Sequence, residues 1–167
     1  MSWTPPAEGA AEEVWNWLAA VKDPEIPVLT IADLGILRQV TMDGDHCVVT
    51  ITPTYSGCPA MNTIEQDVLS VLAEHNVEAT VETLLDPPWT TDWMSEDGRR
   101  KLEAYGIAPP AETSASKRAI WGEDPTVCCP RCKSESTRKV SEFGSTACKA
   151  LYQCQDCQEP FDYFKCI

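Results

Sequence analysis

The stretch Ile36-Leu-Arg-Gln-Val-Thr-Met-Asp-Gly-Asp-His-Cys-Val-Val-Thr-Ile-Thr52 decides the fold of the first half of the chain. Ile36 to Met42 and Cys47 to Thr52 read as strands either side of Asp43-Gly44, a dipeptide that favours tight hairpin turns. In the second strand Cys47, Val49 and Ile51 share one face. Upstream, Glu8 to Val21 places Val14, Trp17, Leu18 and Val21 at helical spacing, an apolar stripe for a core. Downstream from Ala60, the residues Met61, Ile64, Val68, Val71 and Leu72 return to that spacing. Val77, Ala79, Val81 and Thr83 then alternate with Glu78, Thr80 and Glu82, the pattern of a half-buried strand with an acidic outer face. The order α-β-β-α-β predicts an α+β fold, a small two-layer α/β sandwich with its sheet covered on one side.

Asp86-Pro87-Pro88-Trp89 breaks the last strand. A short helix is expected from Ser95 to Tyr105, with Ser95 as its cap and Glu96 and Asp97 near the positive dipole end. Trp89 and Trp93 are expected to plug the core rather than to form a docking surface. The sandwich domain therefore spans 8–105. Gly106, Pro109, Pro110, Thr113, Ser114 and Ser116 mark 106–126 as a linker. A separate cysteine-rich, β-rich module occupies 127–167.

The 167 residues suit one domain plus a smaller module, and 43% apolar with 23% charged residues is ordinary for a folded protein. No stretch approaches the roughly 18 apolar residues of a membrane helix. The first eight residues carry neither a basic nor an apolar leader region, so a cytoplasmic location is expected. Residues 1–110 hold 18 Asp/Glu against 5 Lys/Arg, whereas 111–167 hold 8 of each sign. That acidic field repels phosphate backbones and argues against nucleic-acid binding by the larger domain. No Gly-rich nucleotide loop and no Glu-x-x-His pair is present, so nucleotide, flavin and ferritin-like di-iron sites have no support.

Seven of the nine cysteines fall between Cys128 and Cys166, and an odd total fits poorly with a disulfide framework. Cys129-Pro-Arg-Cys132 and Cys154-Gln-Asp-Cys157 are two C-x-x-C pairs separated by 21 residues, just outside the usual ribbon interval of about 15–20. Four thiolates at about 2.3 Å suit tetrahedral zinc. A module of about forty residues has too little apolar mass for its own core, so metal would supply much of its folding energy. Ser136 to Phe143 and Lys149 to Gln153 are its expected strands, with Gly144 at the bend. A competing reading is an iron–sulfur cluster, because Cys148-x5-Cys154-x2-Cys157 falls one residue away from the plant-type ferredoxin run. Cys128, Cys148 and Cys166 are expected to act as small buried hydrophobes.

Thr54-Tyr-Ser-Gly-Cys-Pro59 ends a strand and opens a helix. Pro59 suits the first helical turn and puts Cys58 at or beside the N-cap, where the helix dipole lowers a thiol pKa. Such a thiol is a nucleophile, a redox sensor or a transient metal ligand; the plainer reading is an inert turn residue. Its only histidine candidates as a catalytic base, His46 and His75, are expected at the solvated surface. Asp23-Pro-Glu-Ile-Pro27 is a rigid acidic turn. Spacing leaves open whether Asp23 and Glu25 merely cap it or lie near Cys58 and help hold a cation or cluster.

Val21-Lys-Asp-Pro-Glu-Ile-Pro-Val-Leu-Thr-Ile-Ala-Asp-Leu-Gly35 and Thr52-Pro-Thr-Tyr-Ser-Gly-Cys-Pro59 resemble the SufT-type iron–sulfur assembly domain. Three further segments narrow the resemblance: Leu85-Asp-Pro-Pro-Trp-Thr-Thr-Asp-Trp-Met94, Glu142-Phe-Gly-Ser-Thr-Ala-Cys-Lys-Ala-Leu-Tyr152 and Glu159-Pro-Phe-Asp-Tyr-Phe-Lys-Cys-Ile167. Together they are similar to the PaaD family, accessory proteins of bacterial phenylacetyl-CoA epoxidase (phenylacetate-CoA oxygenase) systems. The resemblance implies an accessory role in aerobic phenylacetate degradation and no catalytic residues. It implies help with iron or iron–sulfur assembly in the reductase or the di-iron oxygenase, with those components as partners. The family's reactive cysteine maps onto Cys58 and its acidic motif onto Asp23 and Glu25. The implied cofactors are structural zinc on the four C-x-x-C thiols and transient iron or a cluster at Cys58. A homodimer stays open. The alternative is a stably bound structural adaptor, with Trp89, Trp93, Phe161, Tyr163 and Phe164 as its contact surface.

Overall fold

The computed structural model describes residues 9–111 and 125–165. Cys166, together with Thr113, Ser114 and Ser116 of the expected linker, lies outside them. The chain divides into two compact units, 1–98 and 99–167. Among the described residues no helix is long and apolar enough to cross a membrane.

In the first unit α1 (Ala10–Leu18) is followed by β1 (Leu37–Asp43), β2 (His46–Ile51), α2 (Ala60–Glu74) and β3 (Glu78–Thr83). The sheet order is β1-β2-β3, with β1 antiparallel and β3 parallel to β2. The parallel pair requires a crossover, which α2 provides. Cys47, Val49 and Ile51 are buried as their alternation predicts, and Ile64, Val68 and Leu72 of α2 are buried with them. The hairpin turn lies one residue later than the expected Asp43-Gly44. Asp43 pairs with His46, so the two-residue loop is Gly44-Asp45. Gly44 has φ +62° at the first loop position, the place where a type II′ turn requires glycine.

In α1 the buried tryptophan is Trp15, beside Val14 and Leu18, not Trp17. At 100° per residue the two tryptophans lie about 80° to either side of the Val14/Leu18 midline, so the helical wheel alone does not choose between them. Trp17 instead stacks flat on His75 at the end of α2, with ring centroids 3.7 Å apart. His75 is exposed, as expected, and serves there as the stacking partner of Trp17. His46 is half-buried and hydrogen-bonds the Thr80 hydroxyl at 2.9 Å.

The irregular chain between α1 and β1 is held by two aspartates. Asp23 Oδ1 accepts the backbone N–H groups of Glu25 (2.9 Å) and Ile26 (2.7 Å). Asp33 and Thr30 bond each other's backbone N–H, and Asp33 also accepts the Ser95 hydroxyl and, through its carbonyl, the Ser95 N–H. Ser95 in turn caps α3 (Glu96–Tyr105) by accepting the Gly98 N–H, as expected. After β3 the chain thus folds back over this loop: Trp89 is buried and donates to the Leu34 carbonyl at 2.7 Å. Trp93, only half-buried, lies under the Arg38 guanidinium at 3.6 Å.

The second unit holds β4 (Ile107–Ala108), β5 (Thr137–Ser141), β6 (Lys149–Cys154) and β7 (Pro160–Phe164) in the order β4-β7-β6-β5. β7 has no counterpart among the expected strands, being five residues that open on a proline. β4 falls in the stretch read as a linker; two residues are too few to show a period. Phe161, Tyr163 and Phe164 are buried in this sheet.

Gly35 has φ +71°, and a Cβ there would sit 2.6 Å from the Trp93 carbonyl oxygen. Gly35→Ala is expected to destabilise the protein by about 2 kcal/mol or more in urea unfolding. Gly44→Ala, with a similar φ and open space around it, should cost only the backbone term of about 1 kcal/mol. Equal losses would show that the close approach to Trp93 contributes nothing.

Candidate metal centre and thiol site

The two C-x-x-C segments fold into matching turns. The Cys129 N–H donates to the Ser134 carbonyl (2.9 Å), and the Cys154 N–H donates to the Glu159 carbonyl (3.0 Å). Each bond thus reaches five residues on. Each turn also needs a left-handed residue four positions after its first cysteine: Lys133 (φ +64°) and Gln158 (φ +61°). Both cysteines that open the turns are buried, while Cys132 and Cys157 are exposed.

The four sulfurs of Cys129, Cys132, Cys154 and Cys157 lie within 4.8 Å of one another. Cys129 Sγ to Cys157 Sγ is 3.7 Å and Cys132 Sγ to Cys154 Sγ is 3.5 Å. A regular tetrahedron with metal–sulfur bonds of about 2.3 Å has edges of about 3.8 Å, so these distances fit a four-thiolate cage. The protonation pattern fits as well. The Cys157 backbone N–H, 3.5 Å from Cys154 Sγ, is the main cause that brings Cys154 down to about 7. Cys157 is itself pulled down by the Glu159 backbone, but burial and the sulfurs of Cys132, Cys154 and Cys129 push it up to about 12. Cys132 is raised too: the Ser134 backbone lowers it, and the Cys154 side chain and burial outweigh that. Cys154 is thus favoured as thiolate while Cys132 and Cys157 are held protonated beside it, a charge pattern that a cation entering among them would relieve.

Cys148 is not part of this group. It is buried, with its sulfur 3.0 Å from the Thr146 hydroxyl, so the ferredoxin-like run does not converge. Cys128 is exposed rather than a buried hydrophobe, because the buried positions beside it go to Val127 and Cys129.

Cys58 is half-buried at the end of a turn in which its N–H donates to the Tyr55 carbonyl at 3.3 Å and Gly57 takes φ +77°. Its carbonyl accepts the Met61 N–H at 3.2 Å. The N-cap of α2 is Pro59, so Cys58 sits one residue before it, and α2 has neither a side-chain cap nor an acidic residue in its first turn. The positive end of a 15-residue helix is left open beside the thiol. Thr52, at the end of β2, is buried with its hydroxyl unpartnered. Asp23 is buried and serves as the turn brace described above; Glu25 is half-buried on the same turn. Among the described residues the only metal-capable group of three or more His, Cys, Asp or Glu side chains is the four-cysteine one. Asp23, Glu25 and Cys58 therefore do not form a preassembled trio. The brace that sequence reading missed is Asp33, whose signal was the Thr30-x-x-Asp33 capping pattern.

The aromatic surface assigned to an adaptor is mostly absent. Trp89, Phe161, Tyr163 and Phe164 are buried, and among the described residues the exposed large apolar side chains are Leu84, Leu85, Tyr105, Val140 and Phe143.

Comparison with known proteins agrees with the two-unit architecture. Residues 11–83 match the model of the iron–sulfur cluster assembly protein family, and residues 113–165 match that of the PaaD zinc β-ribbon domain. A chain of Escherichia coli (strain K12), provisionally named as the D component of 1,2-phenylacetyl-CoA epoxidase, is 51% identical over 93% of this chain and 92% of its own length. The iron–sulfur protein maturation auxiliary factor SufT of Staphylococcus aureus (strain USA300) is 38% identical over 45% of this chain and 88% of its own. A crystal structure of a domain of unknown function from Bacillus anthracis superposes with a TM-score of 0.51 at 34% identity, covering 54% of this chain and 88% of that one. An assembly-type sandwich followed by a four-cysteine ribbon, matched over nearly the full length, places the chain in the PaaD family of phenylacetyl-CoA epoxidase proteins.

Proposed function

We propose that this chain is a non-catalytic maturation protein of the phenylacetyl-CoA epoxidase system. In this reading the sandwich domain, 8–105, takes up iron or a nascent iron–sulfur cluster on Cys58 as cargo. It releases the cargo to the reductase or to the di-iron oxygenase. The observation that carries the reading is the placement of Cys58: a half-exposed thiol on a tight turn, directly ahead of an uncapped helix N-terminus. A helix start without a side-chain cap accommodates an anionic cluster. Half exposure suits a ligand that must pass its cargo on. In this reading Asp23, which holds the acidic turn through its backbone bonds, and Glu25 on the same turn support the site. The described cysteines are all free thiols, which supports action in the reducing cytoplasm.

The ribbon would hold one structural zinc on Cys129, Cys132, Cys154 and Cys157. Zinc supplies no reaction there; it cross-links two turns of a module too small to fold on apolar burial alone.

Two outcomes are expected. Cys129→Ala or Cys154→Ala should lose about one zinc per chain by elemental analysis and unfold the ribbon. Unchanged zinc and melting in both variants would remove the metal assignment. In a strain lacking this protein, wild type should restore epoxidase activity and the iron and acid-labile sulfide content of the purified reductase, and Cys58→Ser should fail by about tenfold or more while keeping its zinc. Full rescue by Cys58→Ser, with stoichiometric co-purification of the protein on the oxygenase, would favour the adaptor instead.

A further inference from the structure

Phe143 is the most exposed large apolar side chain among the described residues, at 66%, and Val140, nearby on β5, is 50% exposed. Both belong to the hairpin joining β5 to β6, within the Glu142–Cys148 segment and the strand before it. The metal cage does not use this loop, and the sheet's core demands no phenylalanine at a position facing water. The loop is nevertheless tightly held. The Gly144 N–H donates to the Lys149 carbonyl at 2.7 Å, and a Cβ on Gly144 would lie 2.5 Å from Asp162 Oδ1. The Ser145 hydroxyl donates to Asp162 Oδ2 at 2.9 Å. The buried Lys149 ammonium stands 3.9 Å from the same oxygen. Lys165 donates to the Glu142 carbonyl at 3.0 Å and holds its ammonium 4.7 Å from the Phe143 ring centroid.

We propose that this loop is a preorganised protein-docking element with Phe143 as its anchor, and that its partner is a folded protein presenting an apolar pocket rimmed by carboxylates. Aromatic anchors carry a large share of interface energy, and a side chain already fixed loses little entropy on binding. The rim sets the partner's sign. Lys165 stands over the anchor ring, and Glu142, the exposed carboxylate of the loop, is offset by Lys139 at 3.2 Å, which leaves the Lys165 ammonium as the uncompensated charge beside Phe143. A carboxylate-rimmed pocket complements that charge and steers the approach. The partner's identity rests on the maturation reading above: it is the client, the reductase or the oxygenase component of the epoxidase.

The test is calorimetric titration of the full-length chain into each purified epoxidase component, at low and at high salt. Phe143→Ser should weaken binding by about tenfold or more with zinc content and unfolding unchanged. Lys165→Gln should weaken it less and flatten its salt dependence. Wild-type affinity in Phe143→Ser overturns the docking assignment and leaves the maturation reading standing. Binding of the wild type to neither component overturns both the partner and the client. A wild-type dimer that Phe143→Ser converts to monomer overturns the proposal in favour of self-association.

Discussion

Two of the eight side chains in the core of the C-terminal sheet, Cys129 and Cys154, also belong to the four converging thiols. Core and cage are therefore one structure. Ala108, Val127, Ala150, Tyr152, Phe161 and Tyr163 complete the cluster, and Tyr152 meets Phe161 and Tyr163 at ring separations of 6.1 and 5.4 Å. Six apolar residues and two sulfurs give far less burial than an independent domain of ordinary size provides. The sulfurs must hold two turns together across the chain, and the rest of the ribbon follows from that. The knuckle hydrogen bonds aim the thiols, β6 joins one turn to the sheet, and the hairpin that bears Phe143 is carried at the far end of β5 and β6.

The first unit works by different means. Its apolar layer is conventional, with one sheet face covered by α1 and α2, but long irregular segments lie outside that layer. Two buried carboxylates organise them. Asp23 and Asp33 each accept backbone N–H groups that no strand or helix pairs, which meets the requirement that buried backbone donors be satisfied. Both carboxylates accept bonds from the chain's own backbone. The turn that follows β2 is built more sparingly, with Cys58 half-buried at a helix start that no side chain caps.

Much of the fold is legible in the residues. The alternation in β2 and the helical period of α2 both appear where expected, because each depends only on neighbours a few positions away. Ser95 is recognisable as a cap for the same reason. The differences fall where local signals tie or fall silent. Trp15 and Trp17 are equivalent about the axis of α1, and only the position of His75 separates them. β4 and β7 are too short, or too proline-marked, to show a period. The aromatic tail reads as a surface, although Phe161 and Tyr163 fill the ribbon core and Phe164 is buried as well.

Element order, the acidic character of the larger domain, the place of Cys58 before a helix and the two C-x-x-C pairs can all be read along the chain. They are properties of spacing and composition in one dimension. Which sulfurs face each other cannot be read there: Cys132 meets Cys154 across 22 residues, and Asp33 binds Ser95 across 62. Nor can the exposure of Phe143 while Tyr152, Phe161, Tyr163 and Phe164 are buried. Each of these depends on which surfaces meet once the chain has closed on itself, and no local period encodes a contact between segments that only folding brings together.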